Sequence, residues 1–258
     1  MQAEIGVIGG SGFYSLFDQA ESREIDTPYG PPSDALRIST IGGRTVAFLP
    51  RHGPHHEYPP HRINYRANIW ALRAAGVRQI LAPCAVGSLR PELGPGTIVV
   101  PDQVIDRTSG RLQTYFDTGA VHVPFADPYC PTARTTVAGD HVVGGTMVVI
   151  EGPRFSSRAE SQWYAAQGWS LVNMTGLPEA ALARELAMCY LPIALVTDLD
   201  AGIDAATAVT QQEVFTVFAE NITRLRELVL DTIPKLPAER NCPCATAHDG
   251  LTLPFELP

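Results

Sequence analysis

The segment that most constrains the fold is residues 146–178, TMVVIEGPRFSSRAESQWYAAQGWSLVNMTGLP. Residues 147–150 form an apolar run that is long enough for a buried strand and too short for a helix. Residues 158–167 predict a short helix that ends before a glycine, and residues 170–173 predict a second strand. A strand, a helix and a strand in such close succession are typical of an α/β sheet.

Each of these two predicted strands ends in side chains that can contact a ligand. Phe155 and Ser156 follow the first strand, and Met174 and Thr175 follow the second. Because ligands of open α/β sheets bind beyond the carboxyl ends of the strands, these four residues are candidate site residues. For this segment alone, an equally good interpretation places Phe155 and Met174 in the hydrophobic core.

Length and composition indicate one α/β domain. The 258 residues suffice for a sizeable core and contain no visible linker, so residues 1–258 are predicted to form a single domain. The net charge of −8 argues against a surface for nucleic acids or anionic membranes. No apolar run approaches the roughly 20 residues that span a bilayer, and the first four residues lack a basic group. We therefore expect a cytoplasmic protein that binds neither nucleic acid nor membrane.

The cysteines give little indication of a metal site. The chain has five of them, and Cys242 and Cys244 form a C-x-C pair with His248 nearby. This pair lacks a second pair of ligands at the spacing that is usual for zinc. We therefore predict no metal, and we expect reduced surface thiols on an irregular C-terminal tail, residues 234–258.

A glycine-rich loop near the start of the chain is a candidate phosphate contact. A predicted strand over residues 4–8 leads into Gly-Gly-Ser-Gly, where glycines let backbone N–H groups approach an anion and Ser11 adds a hydroxyl. The loop lacks the third glycine of a dinucleotide fingerprint and the lysine of a Walker loop. A simple tight turn would have the same sequence.

The densest group of cationic side chains follows a predicted strand over residues 44–49. Arg51 offers a planar fork to a phosphate or a carboxylate, and the adjacent His52 can donate a second hydrogen bond. Three further histidines, His55, His56 and His61, raise the alternatives of a metal site or of solvated loop charges. A Pro-broken loop without a nearby acidic pair makes a poor metal site, so the pattern favours an anion.

Two carboxylates, Asp198 and Asp200, follow a predicted buried strand over residues 191–196. At positions i and i+2 of an extended chain they project to the same side. The alternative interpretation is that they are acidic residues of a surface turn, which would have the same sequence. Another predicted strand, residues 79–81, leads to small residues around Ala85 that would expose backbone N–H groups.

Other elements follow from local signals. Two strands joined at Gly42-Gly43 predict a hairpin, and residues 64–75 predict a helix. Thr210, with Glu three residues later, predicts the capping box of a final helix. Residues 20–34 and 102–117 are predicted to be irregular.

Taken together, these motifs resemble the trimeric purine nucleoside phosphorylase family, and most closely its methylthioadenosine phosphorylase branch. The likeness covers nearly the whole chain, including IGVIGGSGFY, LPRHGPHH, FADPYCP, GTMVVIEGPRFSSRAES, VNMTGLPEAALARELAMCY and VTDLDAG. The resemblance implies a single-domain, three-layer α/β fold with a mixed central β-sheet flanked by helices. It also implies phosphorolysis of an N-glycosidic bond, with inorganic phosphate as co-substrate and no cofactor.

The resemblance also implies a role for each candidate residue. The residues implied to bind phosphate are Ser11, Arg51, His52, Ala85 through its N–H, and Thr175. Those implied to bind the nucleoside are Phe155, Ser156, Met174, Asp198, Asp200 and His122, the last supplied by the neighbouring subunit of a homotrimer. Asp198 and Asp200 are the implied catalytic residues, with Asp198 providing a donor to N7 of the leaving purine. Burial beside a second carboxylate is expected to raise the pKa of Asp198.

Two positions favour a 6-aminopurine. A carboxylate of the pair can accept from the 6-amino group of adenine, whereas relatives that use 6-oxopurines usually have Asn at the position of Asp198, and Ser156 stands where such relatives commonly have Glu. The implied reaction converts 5′-methylthioadenosine to adenine and 5-methylthioribose 1-phosphate. Methylthioinosine or another 6-oxopurine nucleoside is the alternative substrate, because Met-Thr-Gly-Leu-Pro also occurs in relatives of that type. Cys84 replaces the Thr of close relatives, and loss of that hydroxyl is expected to weaken phosphate binding.

Overall fold

A computed structural model describes residues 2–10, 13–201, 203 and 209–258. Within these residues the strands are β1 (Ile5–Gly9), β2 (Glu21–Arg23), β3 (Leu36–Ile41), β4 (Arg44–Pro50), β5 (Gln79–Ser88), β6 (Ile98–Val100), β7 (Gln103–Arg107), β8 (Val142–Val143), β9 (Thr146–Ile150), β10 (Leu171–Asn173) and β11 (Cys189–Leu199). The helices are α1 (Tyr65–Ala74), α2 (Pro131–Arg134), α3 (Arg158–Ala166), α4 (Gly176–Glu185) and α5 (Gln211–Thr232), with short 3₁₀ turns at Pro60–Arg62 and Ile233–Lys235.

The strands form one mixed sheet with the order β2-β3-β4-β1-β5-β10-β9-β7, and β11 pairs with both β5 and β6. Strands β4, β1, β5 and β11 run parallel to one another, whereas β10 runs antiparallel to β5 and parallel to β9. The predicted α/β fold with a mixed central sheet is therefore confirmed, while the predicted extent of the domain, residues 1–258, stays a prediction. No helix in the described part of the chain is long and apolar enough to cross a membrane.

Alternate strand residues face two large hydrophobic cores, one on each side of the sheet, and a smaller third cluster packs β9 and β10 against α3. In β1, Ile5 and Val7 belong to one core and Ile8 to the other, as the two-residue period of a strand requires. Helices α1 and α4 cover the side of Ile8, and α5 covers the opposite side. The helices and the sheet thus form three layers.

The local signals at turns and helix ends act as the sequence predicts. Gly42 and Gly43 have φ values of 55° and 79°, which suit the two-residue turn of a hairpin. Thr210 and Glu213 form a capping box at the start of α5. Ser157 and Glu160 form another at the start of α3.

Two segments predicted to be irregular contain strands, so those predictions are wrong. Residues 21–23 pair with β3, and residues 103–107 pair with β9. Strands β5 and β11 also extend beyond their predicted ends, to Ser88 and Leu199, because each completes the pairing of the other over ten residue pairs. Long-range pairing of this kind has no local sequence signal.

The C-terminal tail differs from the prediction in one respect. After the 3₁₀ turn at Ile233–Lys235, residues 236–258 form neither helix nor strand. The tail is nevertheless packed on the domain, and Cys242 and Cys244 are 8% and 0% exposed. The prediction of surface thiols is therefore wrong.

Candidate active site

One cavity of about 340 Å³ opens where the two halves of the sheet meet. Nine of the predicted site residues line it: Arg51, His52, Ala85, Phe155, Ser156, Met174, Thr175, Asp198 and Asp200. Ser11 lies outside the described residues. His122 is exposed on a loop of this chain and does not line the cavity.

The cavity exists because β5 changes partners along its length. Its first residues, Gln79 to Leu81, pair with β1, and Gly87 and Ser88 pair with β10 in the opposite direction. Between them, residues 82–86 have no strand partner on that edge among the described residues. Because β10 runs towards this gap, its carboxyl end brings Met174 and Thr175 opposite Ala85. The residues predicted to meet at one sheet edge therefore meet at this break within the sheet.

Arg51 is held at the cavity by a buried ion pair. It directly follows β4 and is 1% exposed, and its Nε and Nη2 donate to the two carboxylate oxygens of Glu179 at 2.5 and 2.9 Å. Nη1 donates to the carbonyl of Pro83 at 3.4 Å, and Glu179 also accepts from the hydroxyl of Tyr190 at 2.7 Å. Burial alone would lower the pKa of Arg51, but the Glu179 carboxylate raises it above its usual value. Two of the five guanidinium N–H groups remain for an anion.

His52 takes a defined tautomer beside this guanidinium. Its Nδ1 lies 2.8 Å from the carbonyl oxygen of Tyr58, so Nδ1 carries the proton and Nε2 is an acceptor in the neutral ring. Burial and the positive charge of Arg51 lower the pKa of His52 to about 3. The ring stacks on His56, with centroids 4.3 Å apart. His52 is therefore neutral near pH 7, whereas the sequence interpretation assumed a second donor.

Asn173, the last residue of β10, connects two of the predicted phosphate contacts. Its Oδ1 accepts from the backbone N–H groups of Thr175 and Gly176 at 2.8 and 2.7 Å, and its Nδ2 donates to the carbonyl of Ala85 at 3.2 Å. Thr175 is the N-cap residue of α4, but its side chain makes no capping hydrogen bond. The Thr175 hydroxyl is therefore not committed to the helix end.

The two carboxylates lie together over the backbone of Gly87. A Cβ at this glycine would be 2.9 Å from Oδ1 of Asp198 and 3.4 Å from Oδ1 of Asp200, so a larger residue would displace the Asp198 carboxylate and would contact that of Asp200. An irregularity in the register of β11 between Val196 and Asp198 redirects the strand before the pair. The hydroxyl of Thr197 donates to Oδ2 of Asp198 at 2.8 Å.

Both carboxylates hold their protons more strongly than usual. Burial raises the pKa of Asp198 to about 6, against the effect of the Thr197 hydroxyl and with the support of the Asp200 charge. Burial also raises the pKa of Asp200, and the hydroxyls of Ser156 and Ser161 partly offset this effect. The expected raised pKa of Asp198 is therefore present, and desolvation is its main cause.

Apolar side chains form another part of the wall. Phe155, Met174 and Phe215 line the cavity, and the last belongs to the first turns of α5. Gly152 lies against Met174, since a Cβ at Gly152 would be 2.6 Å from the Met174 sulfur. Arg111 fixes this region by donating to the carbonyls of Met174 and Leu177 at 2.9 and 2.7 Å.

Three residues that position the site are not among the candidate residues predicted from the sequence: Glu179, Asn173 and Arg111. In the sequence, Glu179 looks like an acidic residue in the first turn of a helix, where it interacts favourably with the helix dipole. Nothing nearby in the sequence indicates its partner Arg51, which is 128 residues away. The sequence predicts Asn173 as the last residue of a strand but not its contacts with Ala85 and Thr175. Arg111 lies in a segment predicted to be irregular. Its partners are backbone carbonyls, which every residue has, so the sequence does not indicate them.

The described histidines do not assemble a metal site. The only group of three or more His, Cys, Asp or Glu side chains close enough to share a metal, within the described part of the chain, consists of four cysteines outside the cavity. The loop after β4 thus contributes His52 and His56 to the cavity, and its described residues form no metal-binding cluster there.

A mixed α/β sheet with a cationic group and paired carboxylates in one cavity is typical of enzymes that act on small anionic or polar substrates. The model of the phosphorylase superfamily matches residues 4–234, and the chain belongs to that family. This confirms the family resemblance of the sequence.

The chain is similar to curated and solved members of the family. S-methyl-5′-thioadenosine phosphorylases of Mycobacterium tuberculosis and Mycolicibacterium smegmatis are 61% and 59% identical to it, over 98% of this chain and 97% and 99% of theirs. A purine nucleoside phosphorylase of Streptomyces coelicolor is 56% identical over 100% of this chain and 99% of its own. The methylthioadenosine phosphorylase of Schistosoma mansoni, solved in complex with adenine, superposes with a TM-score of 0.88 at 37% identity over 93% of each chain.

The buried pair generates a testable prediction for Glu179→Gln. The substitution removes one charge from a fully buried pair and leaves Arg51 uncompensated, so the free energy of unfolding should fall by about 3–5 kcal/mol. Chemical denaturation followed by circular dichroism measures this change. Added phosphate should restore part of the loss, because an anion that binds the folded state beside Arg51 would compensate its charge.

Glu92→Gln is the matched control, since Glu92 pairs with Arg90 at 2.5 Å on the surface, where both side chains are about half exposed. An exposed pair contributes about 0–1 kcal/mol. Equal effects of the two substitutions would show that the Arg51–Glu179 pair does not stabilise the fold.

Proposed function

We propose that the protein cleaves 5′-methylthioadenosine with inorganic phosphate, giving adenine and 5-methylthioribose 1-phosphate. The observation that carries the proposal is the placement of an anion-binding end and a paired-carboxylate end in the same cavity. Arg51 and Thr175 belong to the first end, and Asp198 and Asp200 belong to the second. The relatives named S-methyl-5′-thioadenosine phosphorylase support the choice of substrate.

The phosphate end supplies fixed donors. The two remaining N–H groups of Arg51, the Thr175 hydroxyl and the backbone N–H of Ala85 can donate to phosphate oxygens, and hydrogen bonds to a charged group contribute about 1.5–3 kcal/mol each. Neutral His52 complements them by accepting from a hydroxyl of a protonated phosphate. The anion is then oriented to attack C1′ from the side opposite the base, and it stabilises the positive charge that develops on the sugar.

The carboxylate end receives the base. As the C1′–N9 bond breaks, its electron pair moves into the purine, and protonated Asp198 can donate to N7. Asp200, next to it over Gly87, accepts from the 6-amino group. Phe155 and Met174 pack on the base and the sugar. The reaction involves no net oxidation or reduction, so it needs no redox cofactor. Phosphate is a co-substrate and becomes part of the sugar product.

Incubation with 5′-methylthioadenosine, with and without phosphate, tests the reaction directly. We expect adenine and 5-methylthioribose 1-phosphate in equal amounts when phosphate is present, and only background adenine when it is absent. Liquid chromatography with mass detection identifies both products. Adenine release at the same rate without phosphate would identify a hydrolase and contradict the proposal.

The raised pKa of Asp198 predicts the pH dependence of the rate. At pH values above about 6 the protonated fraction of Asp198 falls, so kcat/KM should fall by about tenfold for each further pH unit until another step limits the rate. Asp198→Asn, which cannot titrate, should lose this limb. Saturating phosphate keeps the ionisation of the co-substrate from dominating the profile.

The same variant bears on the choice of base, because an amide at position 198 can donate to the 6-oxo group of hypoxanthine. Asp198→Asn should therefore shift preference from methylthioadenosine towards methylthioinosine. A steep alkaline limb that persists in Asp198→Asn, together with an unchanged preference for adenine, would exclude Asp198 as the acid.

A second candidate function is phosphorolysis of 6-oxopurine nucleosides. The Streptomyces coelicolor relative, which is 56% identical and named purine nucleoside phosphorylase, favours it. Asp198 and Ser156 argue against it, since Asp198 replaces the Asn that such relatives usually carry and Ser156 replaces the Glu that accepts from N1–H. Comparison of kcat/KM for methylthioadenosine, methylthioinosine and inosine distinguishes the two.

We also propose that the protein acts as a homotrimer in which a neighbouring subunit supplies His122 to the 5′ end of the substrate. In support, His122 is exposed on its own chain. His122→Ala should raise KM for methylthioadenosine about fivefold, which corresponds to about 1 kcal/mol of lost contact. His141→Ala, at another partly exposed histidine, is the control, and equal KM values for the two variants would remove His122 from the site.

A further inference from the structure

Four of the five cysteines converge at one buried point away from the cavity. Cys130 precedes α2, Cys189 is the first residue of β11, and Cys242 and Cys244 belong to the tail. Their four sulfur atoms all lie within 4.8 Å of one another, and Cys189 and Cys242 are 3.5 Å apart. Each of the four is less than 10% exposed, and all are free thiols.

These distances match the edges of a tetrahedral metal site. Zinc–sulfur bonds of about 2.3 Å place the sulfur atoms of a regular tetrahedron about 3.8 Å apart. A set of four sulfur ligands in a tetrahedral arrangement is typical of zinc or iron, and neither calcium nor magnesium prefers such ligands. The sequence hides this site, because only one pair of the ligands is close in the chain.

The surroundings of the cluster carry the compensating charge. A zinc ion with four thiolates has a net charge of −2, and Nη2 of Arg184 lies 3.5 Å from the sulfur of Cys244. Arg184 is 2% exposed and donates to the carbonyls of Pro124 and Asp127, and among the described residues no carboxylate lies within ion-pair distance of it. A buried cation without an anionic partner is costly, and a metal–thiolate group would provide the partner.

A backbone donor completes these surroundings. The N–H of Ala133 points to the sulfur of Cys130 at 3.4 Å. Hydrogen bonds of this kind orient metal-bound sulfur atoms and disperse their charge. Cys130 is also the N-cap residue of α2, so this donor serves the helix end as well, whereas four thiols that merely filled a core as small apolar groups would not require the guanidinium.

We propose that Cys130, Cys189, Cys242 and Cys244 bind one Zn²⁺ as a closed structural site that fastens the C-terminal tail to the start of β11. Binding converts four thiols to thiolates and releases four protons, with no change of oxidation state. All four positions of the metal are occupied by protein, so the site holds the tail and takes no part in the reaction.

Metal analysis of the full-length protein tests the site without reference to activity. Protein expressed with zinc in the medium and exchanged into metal-free buffer should contain one zinc ion per chain by inductively coupled plasma mass spectrometry. Titration of the thiols with an organomercurial should release this zinc to a chelating dye. Cobalt exchanged into the site should show the absorption of tetrahedral cobalt bound to thiolates.

Variants separate the cluster from the remaining cysteine. Cys242→Ser with Cys244→Ser should reduce the zinc content to near zero, whereas Cys84→Ser, at the cysteine outside the cluster, should retain one zinc per chain. Since the double variant can fail to fold, the release of zinc from the wild-type protein is the decisive measurement. Metal-free wild-type protein with five reactive thiols, or an intact mass that reveals disulfides in the cluster, would overturn the proposal.

Discussion

The site depends on the buried ion pair between Arg51 and Glu179. Removal of two charges from water costs several kcal/mol for each ion, and here the cost is offset by two direct hydrogen bonds, by the Tyr190 hydroxyl and by the Pro83 carbonyl. The guanidinium is thereby fixed before any ligand arrives. Gly10 packs against it so closely that a Cβ there would be 2.9 Å from Nη1. An anion that binds at this guanidinium would therefore meet an oriented donor and would not have to order it, which favours affinity.

The charges of the cavity act on one another. Glu179 neutralises Arg51, His52 is neutral, and the two aspartates bring negative charge to the other end of a cavity of about 340 Å³. A phosphate anion in so small a space disfavours the ionised form of Asp198, whose pKa burial already raises to about 6. Binding of the co-substrate is therefore expected to increase the fraction of Asp198 that can donate a proton to the leaving base.

The sequence predicts the parts of this site that lie at element ends. The residues that follow the short apolar strands β4, β9 and β10 line the cavity, whereas β5 and β11 contribute residues from within two longer strands. Turn glycines and helix caps have local chemistry, so Gly42 and Thr210 act as predicted. The family resemblance supplied the roles, which spacing alone left open between a ligand site, core packing and surface charge.

The rest could not be predicted, because it depends on contacts between distant parts of the chain. Strands β2 and β7 exist only through their partners, and Glu179 finds Arg51 across 128 residues. The cysteine cluster also depends on distant contacts, because Cys130 and Cys189 are far from the Cys242–Cys244 pair in the sequence and lie beside it only in the folded chain. Strand β11 begins at this cluster and carries Asp198 near its other end, and it is eleven residues long from Cys189 to Leu199. A tail fastened at the first residue of that strand therefore restrains the same element that positions the acid over Gly87.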